Sequence, residues 1–132
     1  MTVQRDAIPA KGTQAEGVVW LQFGVPIEIR NTGKTVVSFQ SCMSTIEERV
    51  DDHWHAVWTP YCALTSAAAT DIQPGEAKQF SVEVAGVLSG PGGPRWDSSS
   101  ITGTHRYVAT LTSAGAPPAA VTSNTFVLLP AP

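Results

Sequence analysis

The stretch AKQFSVEVAGV (77–87) puts Phe80, Val82 and Val84 on one side of an extended chain and Gln79, Ser81 and Glu83 on the other. Such alternation marks a strand, because successive side chains of extended backbone point to opposite faces. The pattern recurs along the chain, and no long segment shows a helical period. VVWLQF (18–23) and VPIEIRN (25–31) read as strands divided at Gly24, and TVVSFQSC (35–42) leaves the turn NTGK as the second arm of a hairpin. TIEERV (45–50) and HWHAVWT (53–59) flank Asp51 and Asp52 as another hairpin with a short acidic turn, although Glu47, Glu48 and Arg49 also suit a helical turn. ALTSAAATDIQPGE (63–76) has a weak apolar pattern that closes on a Pro-Gly turn. LSGPGGPRWDSSS (88–100) has the Gly and Pro density of a long loop. THRYVATLTS (104–113) alternates through His105, Tyr107, Ala109 and Leu111, and VTSNTFVLLP (121–130) supplies a last strand. About seven short strands separated by turns predict an all-β fold, an antiparallel sandwich.

A chain of 132 residues suits one domain, 1–132, with its core expected over about 17–129 and its two ends as tethers or frayed tails. Apolar residues make up 42% and charged residues 14%, which disfavours disorder. A net charge of -3, with Lys and Arg totalling 8 and unclustered, leaves no basic stripe for phosphates and argues against a nucleic-acid partner. No apolar run is long enough for a transmembrane helix, and MTVQRDAIPAKG (1–12) lacks the apolar centre of a signal peptide. An isolated cysteine pair in a β-rich, Gly/Pro/Ser/Thr-rich domain favours the mature form of a secreted or surface protein over an intracellular one.

Cys42 and Cys62 are read first as a disulfide, which would stabilise the fold by about 3 kcal/mol by closing the loop between them. Buried free thiols come second. Redox chemistry lacks both a CxxC pair and a basic neighbour to activate a thiol. His53 and His55 form an H-x-H whose side chains share one strand face, so a divalent ion is conceivable with Cys42, His105, Asp51 or Asp52. The plainer reading puts Trp54 inside and both histidines in water, with no metal and no cofactor. Catalysis is not expected. Neighbouring Glu47 and Glu48 face opposite ways, the serines have no G-x-S-x-G frame, and GPGGP lacks the Lys-Ser/Thr of a phosphate loop. Arg95, Trp96 and Asp97 form a candidate interaction loop if Trp96 is exposed. Otherwise Trp96 is a lid folded over the sheet edge. Tyr61 is read as a packing residue.

The order of IEIRNTGKTVVSF, a Cys, WHAVW, a second Cys, IQPGE and finally SNTFVLL resembles bacterial extracellular immunoglobulin-like domains over about residues 18–129. Where such domains often carry G-x-Y-R, this chain reads GTHRYVATL, and its cysteines lie closer together than the pair that bridges the two sheets of antibody domains. The resemblance implies a non-enzymatic spacer, adhesion or assembly module that meets another protein or a second copy of itself. Two alternatives stand beside it: a small protease inhibitor that presents the Gly/Pro-rich loop, and a metal-binding module built on His53 and His55.

Overall fold

Alternating residues become strands almost wherever the pattern is clean. The structure, a computed structural model, describes residues 1–62, 69–97 and 101–131. Among these are β1 (Thr2–Val3), β2 (Ala7–Ala15), β3 (Val18–Arg30), β4 (Val37–Phe39), β5 (Ser44–Val50), β6 (His53–Trp58), β7 (Thr70–Ile72), β8 (Ala77–Ser89), β9 (Thr104–Ser113) and β10 (Ala116–Ala131). The described residues contain no helix, so Glu47, Glu48 and Arg49 extend along β5. The readings made over 63–68 and 98–100 fall outside the described residues.

One wall is β1-β3-β8 and the other β10-β9-β5-β6, with β2 joining β3 to β10. The sheet is not wholly antiparallel. β2 turns into β3 through Glu16 and Gly17, at φ 52° and 79°, as a tight hairpin requires. Its other edge then meets β10 running the same way, and Ala7 to Lys11 pair in parallel with Val127 to Ala131. β2 and the last described stretch of β10 are therefore paired with each other, and Val3, Ile8 and Ala10 enter the core, ahead of the expected start near residue 17. Pro9 and Gly12 had obscured that alternation in the sequence.

The hairpin expected across NTGK is not formed. β3 pairs with β8 over its length, while β4 pairs with β7 and touches β9. Asn31 explains the change of direction. Its buried amide donates to the Thr35 and Ile72 carbonyls, and its Oδ1 accepts from the Gly33 N–H, so the segment turns away from β3 with its polar groups satisfied. The second hairpin forms as expected. β5 and β6 join through Asp51 and Asp52, at φ 50° and 64°.

Backbone hydrogen bonds continue from one free edge of this curled sheet to the other through residues 94–97. Val87 N–H donates to the Pro94 carbonyl (2.8 Å), Trp96 N–H to Val87 (3.0 Å) and Asp97 N–H to Val57 (2.8 Å). This strap links β8 to β6 and closes the ring of strands around one core. Gly86 makes room for it, since a Cβ there would stand 3.1 Å from Trp96 Cβ and 3.2 Å from Trp58 Cδ1.

Candidate functional site

The disulfide joins Cys42, just before β5, to Cys62, beyond β6, so it ties the open end of that hairpin. Trp58 then turns inward and donates its indole N–H to the Ala85 carbonyl of β8, joining the walls at 3.1 Å. A bulge between Ile46 and Glu47 lets both Val57 and Trp58 be buried, which breaks strict alternation along β6.

His53 and His55 are exposed on β6. Of the groups named as completing their site, Cys42 is in the disulfide, His105 is in the core and Asp52 pairs with Arg49 at 2.8 Å, while Asp51 lies exposed in the β5–β6 turn. No group of three or more His, Cys, Asp or Glu residues is gathered for a metal ion among the described residues. Trp54 does not pack inside. It lies half-buried with the Arg106 guanidinium 4.3 Å from its ring centre, and Arg106 also holds Glu47 at 2.7 Å.

The proposed loop residues separate. Trp96 is only 3% exposed and meets Phe23 edge-on at 5.8 Å, so it is the ring's seam filler and not a projecting side chain. Arg95 is exposed, but its guanidinium donates to the carbonyls of Gly90 (2.8 Å) and Gly92 (3.3 Å), bracing the loop it belongs to. Asp97 is exposed beside the β6 edge. Tyr61, read as a packing residue, is 75% exposed; a Cβ on Gly93 would collide with its ring.

The most open contact feature was not singled out from the sequence. β10 pairs with β9 along one edge from Ala116 to Val127, but on its other edge β2 covers only Val127 to Ala131. Among the described residues no strand pairs with that edge over 116–123, most of which are exposed. No charged residue follows Arg106 anywhere in the chain. By contrast, the free edge of β8 carries Lys78 and Glu83. Charged side chains blunt an edge against further pairing, and β10 has only Pro117 and Pro118 near its start to do so. The signal available was a long uncharged tail, hidden because turn residues at 113–118 divided it.

A different feature occupies the core. Ser44, Ile46 and Glu48 of β5 face His105, Tyr107 and Ala109 of β9, and all six are buried. His105 Nε2 stands 3.5 Å from Glu48 Oε2. Burial pushes the Tyr107 phenol up to about 12, with the Ser44 hydroxyl pulling the other way. No protein-family model matches the chain, and no curated protein matches its sequence.

Proposed function

We propose that the chain is an immunoglobulin-like β-sandwich module that works by contact and not by catalysis, outside the reducing cytosol, with β10 pairing edge to edge with β10 of a second copy. The wall order supports the sandwich reading: β10-β9-β5-β6 and β3-β8 follow the G-F-C-C′ and B-E order of variable-type immunoglobulin domains. The disulfide supports the compartment, since such bonds persist where the surroundings are oxidising. The observation that carries the mode of action is the uncharged, unpaired edge at 116–123. An added strand gains a row of backbone hydrogen bonds there, and an antiparallel second copy brings no like charges together.

Sedimentation of the purified protein over micromolar to near-millimolar concentrations tests this reading. Association that grows with concentration, and that Ala120→Lys weakens by about tenfold or more while leaving unfolding unchanged, is the expected result. A wild type that stays monomeric throughout, or a variant that associates equally well, overturns it.

A further inference from the structure

His105 has no exposed surface. Its ring lies between Phe126 of β10, with centroids 5.8 Å apart and planes at 28°, and Trp96 of the strap, at 5.6 Å and 51°. The groups around it can be named element by element. β5 presents Glu48, β10 and the strap present aromatic rings, and Phe23 of β3 stands behind Trp96. Gly103 offers only backbone, and Tyr107, the next inward residue of β9, keeps its proton through the accessible pH range. Glu47 and Arg106 pair with each other on the outer face. Burial lowers the His105 pKa from its ordinary value, opposed more weakly by the Glu48 carboxylate and by the Gly103 backbone.

An imidazolium in this apolar layer needs water or a fuller set of acceptors. The elements touching the ring differ in how firmly they are held. β9 is paired by β10 on one edge and by β5 on the other at His105, and β10 is paired with β9 from Ala116 to Val127. The strap is held by three backbone bonds, two to Val87 and one to Val57, in place of a ladder, and its indole Nε1 is buried without an acceptor. Glu48 Oε2 is likewise buried without a hydrogen bond. The least firmly held neighbour opens first.

We propose that Glu48 and His105 form an acid-sensitive latch on the 94–97 strap, so that mild acid releases Trp96 and unpairs the strap from β6 and β8 while the strands remain folded. In the neutral state the imidazole supports the Trp96 ring and the circle of strands stays closed. In the protonated state the strap swings out, water reaches the imidazolium, and Glu48 becomes its counter-ion. The edge freed at Val57 and Val87 becomes a second place where extended chain can pair.

Hydrogen exchange and the indole N–H resonance of Trp96 in the full oxidised protein, followed from pH 7.5 down to about 4.5, test the latch. Loss of Trp96 protection with an unchanged far-ultraviolet circular dichroism spectrum is expected. His105→Phe should remove that loss. Glu48→Gln, which takes away the charge that favours the imidazolium, should move the midpoint to lower pH by about one unit. Retained protection in the wild type, global unfolding in place of local release, or an unchanged midpoint in Glu48→Gln overturns the proposal.

Discussion

The two walls of the molecule follow the same alternation but fill their inward positions differently. β3 and β8 send in Leu21, Phe23, Val25, Ile27, Ile29, Val82 and Val84, all apolar and buried. β5 and β9 send in Ser44, Glu48, His105 and Tyr107 with Ile46 and Ala109. The first wall gains stability simply by leaving water. The second holds polar groups that stabilise the fold only while each finds a partner, and Ser44 does so by donating to the Ser41 carbonyl. Apolar burial and buried polar groups thus lie on opposite sides of one core.

Cutting into the apolar wall should have the largest effect. Ile27→Ala leaves a cavity where the side chain is wholly buried and is expected to cost about 2–5 kcal/mol in urea unfolding, whereas Ser44→Ala should cost less than about 2 kcal/mol. Equal losses would erase the distinction between the walls. Next comes the staple on the polar wall. Replacing both Cys42 and Cys62 by Ala should cost about 3 kcal/mol, because the bond closes a loop across a sequence separation of 20 that the unfolded chain otherwise leaves open. A loss well under about 1 kcal/mol would show that β9 pairing and Trp58 suffice to hold that hairpin.

The same contrast explains what could be read in advance. Phe80, Val82 and Val84 alternate with polar residues, so β8 and its inward face were legible, as was the β5–β6 hairpin at Asp51 and Asp52. The apolar wall announces itself because burial and hydrophobicity coincide there. Glu48 and His105 break that coincidence. The alternation of 104–113 already set His105 on the face of Tyr107 and Ala109, but only the register of β5 on β9 brings Glu48 against it, and register is a long-range property that local alternation does not carry. Trp96 was ambiguous for a related reason: the loop around it has no period, and its burial depends on the space left by Gly86 in a different strand. β2 was missed because its parallel partner lies at the opposite end of the chain.

Making the polar wall resemble its neighbour is a sharper test than cutting it. The double variant Glu48→Leu with His105→Phe replaces a buried ionisable pair by apolar groups, and neutral to about 2 kcal/mol higher stability is expected. Its clearest signature is in pH. In the wild type the folded histidine holds its proton less readily than the unfolded one, so as pH falls below about 6.5 the unfolded chain takes up a proton first. Stability should therefore be full above that value, decline below it, and level off once the folded His105 is also protonated. The double variant should lack this component of the decline. If its acid profile matches the wild type, the polar wall is not where the molecule senses acid.

The smallest effect is expected one residue away, on the outer face of the same strand. Glu47 pairs with Arg106 at 2.7 Å, but both are partly in water, and Arg106 keeps its place over Trp54 when the carboxylate is neutralised. Glu47→Gln should therefore cost less than about 1 kcal/mol, and the difference should shrink further in high salt. Glu47 and Glu48 are adjacent in sequence and identical in chemistry. Only the direction of the side chain separates a screened surface pair from a buried one, so a Glu47 effect as large as that of Glu48 would mean that the inward and outward faces of β5 are assigned the wrong way round.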